Sequence, residues 1–128
     1  YRCSTCSGTP CSSANSGFVF HNIGNVNINI SVTAGKTAAS FIGGTLGGGP
    51  QYLWKARNKT NYGGYATNII TTYTASSTGA TLAYFNMTPS NSTNTYDAYL
   101  DLNLTIPRDA GTGAKSDTIS FTAVETTS

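Results

Sequence analysis

The sequence predicts an all-β protein, an antiparallel β-sandwich of about seven or eight strands with no long helix. Three observations carry that expectation. In residues 95–106, Tyr96, Ala98, Leu100, Leu102, Leu104 and Ile106 alternate with Thr95, Asp97, Tyr99, Asp101, Asn103 and Thr105. Successive side chains of a strand point to opposite faces, so this period of two gives one oily face and one wet face, as in a sheet packed on a core from one side. Residues 118–124 repeat the pattern, with Ile119, Phe121 and Ala123 against Thr118, Ser120 and Thr122. Nowhere does an apolar stripe recur at i, i+3, i+4 and i+7 for three turns, so no long helix is expected. Residues 107–116, with Pro107, Gly111 and Gly113, form a connecting loop. The two runs therefore read as a hairpin-like pair that carries one face of the core.

The remaining elements follow in chain order. Residues 1–17 are Cys-, Ser- and Gly-rich with no apolar period, and form a tail preceding a sandwich domain over residues 18–128. Residues 17–20 are a brief apolar strand, ended by a turn signal at 21–24. Residues 25–33 alternate cleanly, Val26, Ile28, Ile30 and Val32 facing in and Asn25, Asn27, Asn29, Ser31 and Thr33 facing out. Residues 36–42 are a weaker strand candidate, and the glycines and proline of 43–50 exclude regular structure. Residues 51–57 form a strand with Tyr52 and Trp54 on one face, residues 58–66 a loop, and residues 67–74 and 80–88 strands on their β-branched and aromatic content.

Composition narrows the class. At 128 residues the chain is long enough to bury a core as one domain. Charged residues are 9% of it and the net charge is +2, so nothing supplies the electrostatic footprint of a nucleic-acid-binding protein. Intracellular surfaces are usually kept soluble by Lys and Glu, at about a quarter charged residues; here Ser, Thr, Asn and Gly take that place, which points to an extracellular, cell-surface protein. No run approaches the roughly 18 apolar residues of a membrane span, and no leader precedes Tyr1, as expected of a secreted chain whose leader has been removed. Cys3, Cys6 and Cys11 all lie in the tail; in an oxidising compartment two of them form a disulfide, any of three pairings being open, and the third is free, capped or bonded to another chain.

Two segments carry a resemblance. Residues 20–33, F-H-N-I-G-N-V-N-I-N-I-S-V-T, resemble the opening of immunoglobulin-like domains in prokaryotic, particularly archaeal, surface proteins. Residues 104–123, a strand ending in Pro107, a glycine-bearing loop and S-D-T-I-S-F-T-A, are similar to the closing segment of such domains. Related sandwiches serve as stalk modules, surface-layer pieces and subunits of extracellular filaments, some of which polymerise when an extended segment of one subunit supplies a strand missing from the next. The resemblance thus implies an immunoglobulin-like sandwich in a homopolymeric filament, with itself as partner. A donor strand pushes alternate oily side chains into its host. Phe18, Val19 and Phe20 are the stretch able to do so, and residues 1–16 offer little of that kind.

Candidate chemistry is sparse. Asn29, Asn58, Asn86, Asn91 and Asn103 each head an N-x-Ser/Thr sequon, and covalent N-glycans are expected on at least one. Asn29 and Asn103 fall on wet strand faces and Asn58 and Asn91 in loops, whereas the strand phase at Asn86 is ambiguous. Cys3, Cys6, Cys11 and His21 form a string of zinc-type ligands, but the disulfide reading is stronger and no metal or other cofactor is expected. Asp97 and Asp101 share a strand face roughly 13 Å apart at about 3.3 Å per residue, beyond the about 5 to 10 Å of a glycosidase pair. With one histidine and no G-x-S-x-G there is no nucleophilic triad, so the chain is not expected to be an enzyme. Tyr52, Trp54, Tyr62 and Tyr65 flank glycine loops and form the one candidate sugar-stacking platform, the basis of an alternative reading as a carbohydrate-binding or adhesion module; Trp54 as core tryptophan is the stronger assignment. A stalk domain of a larger surface protein is the other alternative.

Overall fold

The computed structural model describes residues 18–58, 67–90 and 97–126. Among the described residues eight strands form two four-stranded antiparallel sheets packed face to face, so the all-β sandwich expected from the alternation is what the chain adopts. The strands are β1 (Phe18–His21), β2 (Ile28–Ala34), β3 (Gln51–Asn58), β4 (Thr67–Asn68), β5 (Thr74–Ala75), β6 (Thr81–Met87), β7 (Asp97–Thr105) and β8 (Ile119–Glu125). The first sheet runs β1-β7-β3-β5 and the second β4-β6-β2-β8. The longest register is β3 on β7, from Gln51↔Thr105 to Asn58↔Ala98. Trp54, Tyr84, Met87, Leu100 and Val32 fill the space between the sheets and are fully buried. Tyr52 and Trp54 share the inward face of β3, because they stand two residues apart on a pleated strand.

The two alternating runs do not form a hairpin. β7 lies in the first sheet and β8 in the second, so residues 106–118 carry the chain across the sandwich. Alternation identifies a face to be buried; it carries no information on the partner strand. The weak strand predicted over 36–42 is instead a one-turn helix, α1 (Ala38–Phe41), started by the Thr37 hydroxyl, which accepts from the Ser40 N–H at 3.2 Å. The strand predicted over 67–74 survives only at its ends: β4 pairs with β6 and β5 with β3, so this stretch changes sheets. Tyr99, placed on the wet face by its phase, is only 2% exposed. The Arg57 guanidinium covers its ring at 4.4 Å while pairing with Asp101 at 2.6 Å. Val26 and Ile106, assigned inward, lie outside the strands and are exposed.

One crossover deserves its contacts in full, since it places one wall of the site below. The Asp109 carboxylate accepts from the backbone N–H of Thr45 and Leu46 and from the Thr45 hydroxyl, all at 2.9–3.0 Å. These bonds tie the glycine-rich loop to the crossover. Gly44 sits in their path at φ +86°, and a Cβ there would come within 2.8 Å of both Pro107 Cβ and Asp109 Oδ1. Further along, Lys36 Nζ donates to the Ser116 carbonyl at 2.6 Å and Gly35 N–H to that of Thr118 at 2.8 Å. Asp117 is held between these two anchors.

Candidate functional site: an open corner of the sandwich

The terminal strands meet at one side of the sandwich, β1 edging the first sheet and β8 the second. They touch through aromatic rings, with Phe121 5.4 Å from Phe18 and 4.8 Å from Phe20. β7 is nine residues long and β1 is described over Phe18–His21, their register running from Phe18↔Leu100 to His21↔Asp97. Among the described residues no strand pairs with residues 101–105 of β7 on that edge. Among the described residues, then, about five residues of that edge carry no partner strand.

Beneath this bare edge lies a groove of about 410 Å³ between the sheets. Leu102 and Leu104, on the inner face of β7, form one wall and Ile119 of β8 the other, with Phe18 at one end. Phe41 of α1 closes the far end, its ring 5.1 Å from that of Tyr52. Phe121 belongs to the same inward row of β8, opposite Val32 of β2, yet stays 36% exposed because β1 covers only part of it.

One carboxylate stands in this apolar groove. Asp117 stands near Tyr52, whose hydroxyl pKa is raised above its ordinary value by burial first and then by the Asp117 carboxylate. Asp117 Oδ2 is buried and has no partner among the described residues. A buried carboxylate oxygen without a donor loses its hydration uncompensated. Sequence patterning gave no sign of Asp117, which reads as a polar residue before a strand; only the crossover brings it beside Tyr52.

The other candidates distribute as follows. Trp54 is fully buried and Tyr52 is 2% exposed, so neither offers a ring face to a sugar, and that half of the stacking platform is corrected to core. Tyr62 and Tyr65 lie outside the described residues, as do Asn91, Cys3, Cys6 and Cys11. Asn29, Asn58 and Asn103 are half-buried, and Asn86 is exposed. Asn86 adopts φ +57° at an irregularity in the β2–β6 pairing, which explains its ambiguous strand phase. Asn29 Oδ1 accepts from the Asn86 N–H at 2.8 Å and the Thr126 hydroxyl at 3.1 Å, bracing β2 against its neighbours. His21 Nδ1 stands 4.0 Å from Asp97 Oδ1 on the outer face. No three His, Cys, Asp or Glu side chains converge as a metal site, and no helix is long and apolar enough to cross a membrane, among the described residues.

With this geometry in hand, the chain was compared with protein families, characterised proteins and solved structures, and none matches. The functional reading rests on the open corner itself.

Proposed function

We propose that this domain is a non-enzymatic structural subunit of an extracellular, glycosylated surface filament, polymerising by strand complementation between neighbouring copies. The observation that carries the reading is the edge of β7 at residues 101–105, unpaired among the described residues and lying above an apolar groove. Such an edge is a template for another strand. The segment exchanged is the N-terminal stretch that contains Phe18, Val19 and Phe20.

β1 suits exchange. Phe18 is 43% and Val19 53% exposed, so only Phe20 contributes much burial to its own domain. A copy of β1 from a neighbour makes the same contacts with β7 and Phe121, and the exchange costs little beyond opening the turn that follows His21. Glycans on exposed sequons such as Asn86, on the opposite sheet from the bare edge, leave this junction clear.

The test is intermolecular crosslinking. A benzophenone amino acid replacing Thr105, at the end of the bare edge, is irradiated in an assembled mixture of isotope-labelled and unlabelled chains. Crosslinked peptides pairing β7 of one isotope with residues 1–21 of the other are expected. Exclusively same-isotope links, or no assembly at any concentration, would falsify the reading.

A further inference from the structure

We propose that Asn86 carries an N-linked oligosaccharide whose first pyranose lies on the exposed ring of Phe85; this deepens the glycosylated-surface reading above and rests on it. Four of the five sequons fall among the described residues, and geometry separates them. Asn29 is half-buried, its Oδ1 engaged by the Asn86 N–H and the Thr126 hydroxyl. Asn58 and Asn103 are half-buried on β3 and β7, with Asn58 Oδ1 fully covered. Asn86 alone of the four is exposed. Its Oδ1 accepts from Asn27 Nδ2 at 2.9 Å. That bond uses only the carboxamide oxygen and leaves Nδ2, the atom a glycan joins, unengaged among the described residues.

The backbone sets the aromatic ring beside that amide. Ile28 pairs with Met87 and Ile30 with Tyr84, so Asn29 alone opposes both Phe85 and Asn86. At such a bulge two consecutive side chains turn to one face, and both are exposed here while Tyr84 and Met87 on either side are fully buried. Asn86 holds φ +57°, a conformation that Asn tolerates better than most residues with a side chain. Phe85 is left 43% exposed next to it. One face of a pyranose is lined by C–H bonds, and laid on an aromatic ring it removes apolar surface from water. The modification is a group transfer. Asn86 Nδ2 bonds to the anomeric carbon of a sugar carried on a polyprenyl phosphate, the bond from that carbon to the phosphate oxygen breaks, the lipid phosphate leaves, and the amide gives up one proton. The amide oxygen stays free to hold Asn27. Met87, in the middle of the sequon, is fully buried, so the transfer precedes the docking of β6.

Residue-resolved mass spectrometry of the full chain from its native source is expected to place a sugar mass on Asn86; unmodified Asn86 in every copy overturns the site. Thr88→Ala then separates sugar from side chain, because it removes the sequon and leaves Asn86 with its φ and its hydrogen bonds. In the glycosylating source it should lower the thermal midpoint by about 3 °C, and in a host without N-glycosylation by nothing. Repeated in a Phe85→Ala background, Thr88→Ala should cost nothing in either host. An equal loss with and without the Phe85 ring overturns the stacking. Electron microscopy of the same samples keeps the two readings apart: filaments built from chains bare at Asn86 overturn this site and leave strand complementation standing, whereas a sugar on Asn86 of a chain that never assembles upholds the site and overturns the filament.

Discussion

Asn22 shows how much one side chain can hold. It is buried, donates from Nδ2 to the carbonyls of Val26 and Met87, both at 2.9 Å, and accepts the Gly24 N–H at 3.0 Å through Oδ1. Its own carbonyl accepts the Ser90 N–H. The turn between β1 and β2 is thereby fixed to the end of β6. Asn22→Ala leaves the Met87 carbonyl buried without that donor and is expected to cost about 2 kcal/mol, read from the chemical-denaturation midpoint. Asp109 behaves differently because it sits at the surface. Hydrogen bonds from the backbone of Leu46 and of Thr45 hold its carboxyl below the usual range. A depressed carboxylate stabilises the fold fully above its unfolded value of about 4 and loses that contribution as pH falls through its lower folded value. The thermal midpoints of the unmodified chain and Asp109→Asn should thus differ by a constant amount above about pH 5 and converge in stronger acid. Of these two residues, Asn22 was legible only as part of a turn signal. Asp109 was legible as nothing, because its partners lie more than sixty residues away.

At the scale of elements, the strands with a clean period of two were readable and the short ones were not. β6 and β7 fall within their predicted ranges and β2, β3 and β8 overrun theirs by one residue, since alternation reports directly on which face meets the core. α1 was missed because a single turn has no period to detect, and its Thr37 cap is visible only once the helix is known. β4 and β5 are two residues each, and the stretch between them bends from one sheet to the other, which propensity does not register. The glycine-rich loop is an element in its own right. Gly44→Ala adds a Cβ where Pro107 and the Ala110 backbone already stand within 3 Å, at a φ that L-residues avoid. It should lower the denaturation midpoint by the equivalent of about 1–3 kcal/mol and loosen the crossover that positions Asp117. β3 provides the reference for core strands: Trp54→Ala empties the centre of the sandwich and is expected to cost about 3–5 kcal/mol, a large share of the roughly 5–15 kcal/mol stability of an ordinary domain, read from the denaturation midpoint.

For the whole molecule, the decisive feature is the corner where β1 and β8 meet. β8 runs the length of β2, and the described residues of β1 pair with β7 from Asp97 to Leu100. Filling the groove from within is the simplest whole-molecule check. Leu104→Trp places bulk where a neighbour's strand must pass, and is expected to block assembly while the circular dichroism spectrum of the monomer stays that of the parent; normal filaments from this variant would argue that the groove is not the junction. The sequence by itself determined the class, the faces of the long strands, the core position of Trp54 beside Tyr52, and the scarcity of catalytic groups, because side-chain period and composition are local properties of the chain. Tertiary structure alone decided that β7 and β8 belong to different sheets, that Tyr99 is covered by Arg57, and that Asp117 enters the groove beside Tyr52. Those are pairings between distant segments, and the free energy that selects them comes from burying two sheet faces against each other rather than from any pattern within one strand. The corner where β1 meets β8 is a property of the same kind: the alternation of residues 18–21 looks like any short strand until the nine-residue partner beside it is seen.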